Sequence, residues 1–168
     1  MLYEQIFREC SMQGIKYLVI GGIAVNLHGF SRATGDLDIM LSFDKTNVEK
    51  FIKMVKDLSF VPRVPVPLQD FADGRKRKSW IRDKHMKVFS IFNPKNPIEH
   101  IDVMILERID FEKAYKNRKA FSVGHFKIPV VSIPDLIKLK QIAGRERDKI
   151  DIKALKKIQE LTRGQKRR

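Results

Sequence analysis

Two carboxylates two residues apart, Asp36 and Asp38, lie in a segment where Leu37, Ile39 and Leu41 alternate with Asp36, Asp38 and Met40. That alternation is the pattern of a half-buried strand, and it puts both carboxylates on the open face, about 7 Å apart at Cα. Carboxylates so spaced can hold hard divalent cations, and Mg²⁺ takes oxygen ligands and completes its shell with water and substrate phosphates. The solvent face of a strand also carries acids with no chemical role, so the pair alone leaves both readings open. A third acid, Asp102, alternates with Ile101 and Val103 in a second strand-like run, and strand pairing would bring it beside the first two. Upstream, Gly21-Gly22 closes an apolar run over residues 15–20. A glycine pair commonly ends a strand, but it also permits close backbone approach to a phosphate and offers free N–H groups.

The elements that must position these residues follow from periodicity. Leu2, Ile6, Phe7 and Cys10 predict an amphipathic helix over residues 2–13, stopped at Gly14. A strand follows over 15–20, the glycine pair, a short helix over 23–28, and the carboxylate strand over 36–43. Asp44 is an expected N-cap for a helix whose stripe is Val48, Phe51, Ile52, Val55 and Leu58. Three prolines between Val61 and Pro67 predict an extended edge, and the basic Arg75–Lys78 stretch an exposed loop or hairpin turn. Residues 86–92 and 98–106 flank an Asn-Pro-Lys-Asn-Pro turn and are expected to pair antiparallel. Asp110 can cap a short helix to Lys116, and β-rich sequence surrounds Gly124. Ser132-Ile133-Pro134-Asp135 opens a helix that Gly144 ends. The last helix starts near Arg147, draws on Ile150, Ile152, Ala154, Leu155 and Ile158, and gives way to a disordered polar tail over 162–168. The expectation is one α/β (α+β) domain over residues 1–168: a mixed central sheet flanked by helices, with C-terminal helices.

At 168 residues, 43% hydrophobic and 32% charged, the chain is of ordinary globular composition, which excludes disordered and collagen-like classes. No apolar run approaches the roughly 18 residues that span a bilayer, and Glu4, Arg8 and Glu9 interrupt any export signal. A membrane role is therefore not expected. A single cysteine, Cys10, leaves no internal disulfide or Cys-based zinc site and suits a reducing cytoplasm. Residues 75–87 hold seven Lys/Arg against one acid, and residues 138–168 hold twelve against four, so these two segments account for the whole net charge of +14. Concentrated positive charge favours a polyanionic partner such as RNA, although a solubilised surface carries the same composition.

Taken together, Val19-Ile20-Gly21-Gly22, thirteen residues, Asp36-Leu37-Asp38 and a distant Ile101-Asp102-Val103 resemble the nucleotidyltransferase superfamily, the DNA polymerase β-like fold. The finer pattern Gly22-x-Ala24, His28-Gly29, Arg32-x-Thr34-x-Asp36 resembles its small single-domain branch, which includes abortive-infection and toxin-type nucleotidyltransferases. So does Ser132-Ile133-Pro134-Asp135-Leu136-Ile137-x-Leu139-Lys140 followed by Gly144-Arg145-x-Arg147-Asp148-x-x-Asp151. The chain departs from the family at Gly22, where many members carry Ser.

The resemblance implies a nucleoside triphosphate (NTP) substrate, ATP among the candidates, and two Mg²⁺ ions, with Mn²⁺ as an alternative. Asp36 and Asp38 would bridge the ions, and Asp102 would bind the catalytic one and help deprotonate the attacking hydroxyl. Gly21 and Gly22 would cradle the triphosphate. Arg32, Thr34, Arg145 and Asp148 are the further nucleotide-binding candidates, with Lys140 expected to reach the β/γ-phosphates. The two basic segments, 75–87 and 138–168, make RNA, such as a tRNA end, the expected acceptor. A partner protein in a toxin–antitoxin pair is a further implication, and a catalytically silent nucleotide- or RNA-binding module is the alternative.

Overall fold

In the computed structural model, which describes residues 3–165, the two acid-bearing segments are adjacent parallel strands. They are β2 (Leu37–Leu41) and β5 (Asn96–Met104), and their register pairs Leu37 with Ile101 and Asp38 with Asp102. Around them lie β1 (Tyr17–Val19), β3 (Val61–Pro62), β4 (Val88–Asn93), β6 (Lys119–Val123) and β7 (Phe126–Val130). Together they form a mixed sheet of order β3-β4-β5-β2-β1-β7-β6. β1 runs antiparallel to β2 and parallel to β7, while β4–β5 and β6–β7 are antiparallel hairpins.

Alternation along these strands divides the molecule into two layers. Leu37, Ile39, Val103 and Phe89 face one side of the sheet. There α1 (Glu4–Met12), α3 (Lys45–Asp57), a 3₁₀ turn (Leu68–Ala72) and α4 (Gly74–Lys84) pack. Ring contacts tie this layer together: Phe7 on Tyr17, Phe51 on Phe71, and Phe71 and Trp80 each on Phe89. Asp38, Asp102, Met104 and Val88 face the other side, towards α2 (Gly21–Leu27), α6 (Ile133–Ala143) and α7 (Glu146–Gln165). The short α5 (Phe111–Lys116) is capped as expected by Asp110, whose carboxylate accepts from Lys113 N. No helix of the described residues is long and apolar enough to cross a membrane.

Several expectations are corrected. Arg75–Lys78 is helical, not a loop or hairpin turn. Asp73 accepts a hydrogen bond from Arg75 N at the N-terminus of α4, and Trp80, only 5% exposed, anchors the helix on Phe89. Thr162–Gln165 continues α7 instead of fraying; residues 166–168 of the expected tail, and Leu2 of the expected first helix, lie outside the described residues. Asp44 does not cap α3 through its side chain, because its carboxylate accepts from Ser42 Oγ. Ile150 is 62% exposed and contributes nothing to the apolar side of α7. The glycine pair opens α2, two residues earlier than expected. Asp36 precedes β2 on an exposed lead-in while Asp38 lies within the strand, so the two acids differ in burial.

Candidate active site

A cavity of about 400 Å³ opens on the α2/α6/α7 side of the sheet, and each of the ten residues singled out from the sequence lines it. Asp36, on the lead-in to β2, Asp38 on β2 and Asp102 on β5 line it together. Burial, followed by the charges of Asp102 and Asp36, pushes the Asp38 carboxyl up to about 6; Arg145 and Lys140 oppose that shift. The negative charge concentrated here is what a divalent cation would relieve, and an all-carboxylate donor set is the chemistry Mg²⁺ selects. In donor type the residues fit such an ion. Among the described residues, no group of three or more His, Cys, Asp or Glu side chains is drawn together tightly enough to hold a metal ion.

Gly21 and Gly22 form the adjoining wall. Gly21 has φ +63°, and a Cβ there would collide with Asp38 Oδ2, so glycine is required both for its backbone conformation and for the proximity of the carboxylate. Ile20 N donates to the Asp38 carbonyl at 2.9 Å, fixing the turn to β2. A Cβ at Gly22 would collide with Thr34 Oγ1 and stand 2.8 Å from Arg32 Nη2. The Thr34 hydroxyl therefore fills the space a serine at position 22 would need.

Arg32 is held twice. The Asn26 side chain accepts from Arg32 N at 3.0 Å and donates to its carbonyl at 2.9 Å. Its guanidinium Nε lies 3.0 Å from Asp151 Oδ1. Asp151 is fully buried and also binds Lys140 Nζ at 2.7 Å, while Asp148 binds the same ammonium at 3.0 Å. Lys140, 5% exposed, is thus committed to two carboxylates although it borders the cavity. Asp148 further accepts from Arg145 N at 3.2 Å. The Arg145 and Arg147 side chains are exposed at the cavity mouth and form no ion pair with a described residue.

Sequence reasoning missed Asn26, Arg147 and Asp151. Arg147 and Asp151 belong to the quoted C-terminal pattern, so their spacing was the available signal; Asn26 offered none. Trp80 stacks on Phe89 at 5.4 Å and is a core side chain, with no ring face for a base. His28 binds the Val131 carbonyl at 2.8 Å, and burial lowers its pKa, consistent with packing. A second cavity of about 290 Å³ shares Met104 with the first and carries Asp44, Glu107 and Glu112 with no cation.

No family model matches the sequence, and no curated protein does. Solved structures do. The lincosamide antibiotic adenylyltransferase LnuA, in its lincomycin-bound form, superposes with a TM-score of 0.58 at 19% identity, covering 92% of this chain and 94% of that one. An antigenic nucleotidyltransferase-like protein from Paracoccidioides brasiliensis gives 0.56 at 15% identity, over 95% of this chain and 74% of that one. A nucleotidyltransferase candidate from Thermotoga maritima gives 0.54 at 13%, over 99% and 94%. A mixed sheet flanked by helices, with a glycine turn beside two parallel acid-bearing strands, places the chain among α/β proteins. Within that class it has the fold of these nucleotidyltransferases.

Proposed function

We propose that the protein transfers a nucleoside monophosphate (NMP) from an NTP to a hydroxyl acceptor. The reading rests on one observation: three carboxylates, two glycines and the cations Arg32, Arg145 and Arg147 converge on one cavity. Asp36, Asp38 and Asp102 would hold the divalent cations, which when bound neutralise charge at the attacking and leaving oxygens of an in-line displacement. Gly21 and Gly22 present backbone N–H groups to the phosphates, and the Thr34 hydroxyl stands beside them. The Arg32 guanidinium, fixed from behind by Asp151, faces the same phosphates, joined by Arg145 from the α6–α7 connection and Arg147 from the first turn of α7. Asp102 accepts the proton of the attacking hydroxyl as its oxygen bonds to the α-phosphorus. The bond from that phosphorus to the bridging oxygen breaks, and pyrophosphate leaves. Positioning and charge complementarity carry most of the rate.

RNA remains the acceptor favoured by the basic residues of α7, whose first turn borders the cavity. The segment over 75–87 is on the opposite face of the sheet and is not part of that approach. A second reading, a small cationic hydroxyl compound, is supported by the acid-lined cavity next door and by the lincomycin held by LnuA.

The test is incubation with Mg²⁺, each α-phosphate-labelled NTP in turn, and either total RNA or a panel of amino sugars, beside an Asp36→Asn/Asp38→Asn control. Label reaching an acceptor only with the wild-type protein establishes the reaction and its acceptor class. Bound nucleotide with no transfer to any acceptor would leave a silent binding module.

A further inference from the structure

The parallel β2–β5 ladder stops at the Leu37–Ile101 rung, one residue after Asp36 and one before Asp102. Where the next rung would lie, a side chain from the start of α1 takes its place. The Tyr3 hydroxyl accepts from His100 N at 3.0 Å and donates to the Gly35 carbonyl at 2.6 Å, with the His100 carbonyl at 2.9 Å as a second acceptor. Tyr3 is 2% exposed and sits at φ +63°, so its ring is fully enclosed on a backbone that few non-glycine residues adopt. One hydroxyl thus bridges the residue before Asp36 to a residue two before Asp102. Released from the ladder, Asp36 is exposed on the cavity side while Asp38 stays within the strand.

We propose that the Tyr3 hydroxyl is a positioning group that sets the Asp36 carboxylate relative to Asp102. The consequence for cation binding and turnover rests on the nucleotidyltransferase reading; the tether itself does not. Without the hydroxyl, Gly35 and His100 either pair directly or separate, and either change moves Asp36.

The experiment compares Tyr3→Phe with Ile6→Val, which loosens the buried face of the same helix without touching the tether. Hydrogen exchange at the His100 amide, followed by NMR, needs neither metal nor nucleotide. It should accelerate about tenfold in Tyr3→Phe and stay unchanged in Ile6→Val, as for loss of one buried hydrogen bond. Mn²⁺ affinity, read by electron paramagnetic resonance, should weaken in Tyr3→Phe alone, and kcat should fall with KM for NTP unchanged. Unchanged exchange, or equal losses in both variants, overturns the proposal. Accelerated exchange in a protein that neither binds Mn²⁺ nor transfers NMP leaves the tether standing and removes the transferase reading instead.

Discussion

Asp38 and Asp102 are opposite each other on adjacent parallel strands, and their mutual repulsion helps to push the Asp38 carboxyl up to about 6. Without metal, the folded protein binds that proton more tightly than the unfolded chain, whose Asp titrates near 3.8. Stability from this group therefore declines as pH rises from about 4 to about 6 and stays low above that. Asp38→Asn should be about 1–3 kcal/mol more stable than wild type near pH 7.5 in EDTA, and no more stable near pH 3.5. Urea melts at the two pH values check this. The same substitution should lower NMP transfer on the order of 10²–10³-fold, so stability and activity change in opposite directions.

Gly21→Ala should cost about 1–2 kcal/mol from the left-handed backbone alone, with a further penalty from the collision with Asp38. Gly22→Ser, although it restores the residue many family members carry, should reduce nucleotide affinity because Thr34 fills that space. Combining it with Thr34→Gly should recover part of the loss. Nucleotide titration of the three proteins measures both effects, and a harmless Gly22→Ser would contradict the packing described.

Removing the buried carboxylate of Asp151 takes away the ion-pair partner of Arg32 and leaves Lys140 with Asp148 alone. Asp151→Ala should destabilise the fold by about 3–5 kcal/mol. Arg32→Ala and Asp151→Ala combined should cost less than the sum of the single losses, because each removes the partner of the other. Equilibrium unfolding of the four members of this cycle supplies the coupling.

If RNA is the acceptor, charge reversal at Lys153, Lys156 and Lys157 on α7 should weaken RNA binding and flatten its salt dependence. Reversal at Arg75, Lys76 and Lys78 on α4 should change neither. Arg77 is left in place because its guanidinium donates to the Phe71 carbonyl at 2.5 Å and lies 4.4 Å from the centroid of the Phe43 ring. Filter binding across a salt series distinguishes the two helices.

The central part of the site was legible because its residues declare themselves by type and period. A glycine pair after an apolar run, and acids alternating with Leu, Ile and Val, carry their meaning within a few positions. The basic helix was not legible, because α4 buries essentially one large side chain, Trp80, and so shows no apolar stripe. Its Asp73-Gly74 start also reads as a turn, although the Asp73 cap was the signal that a helix begins there. The side chains that hold the machinery in place were hidden for another reason. Asn26 is an ordinary polar residue six positions from the Arg32 backbone it holds, and Tyr3 acts on a group that only the fold brings near, meeting His100 across 97 positions of sequence.

The pairing of Val19 with Val130 bears on how the molecule is made. Strands that meet across so much intervening chain assemble late, because loop closure must precede the contact that rewards it. During synthesis the glycine turn and all three acids emerge before the strand that buttresses β1 and before the helix carrying Asp151. A nascent chain therefore holds the acids and glycines without the geometry that gathers them, and the cleft takes shape only as the last third of the sequence is delivered.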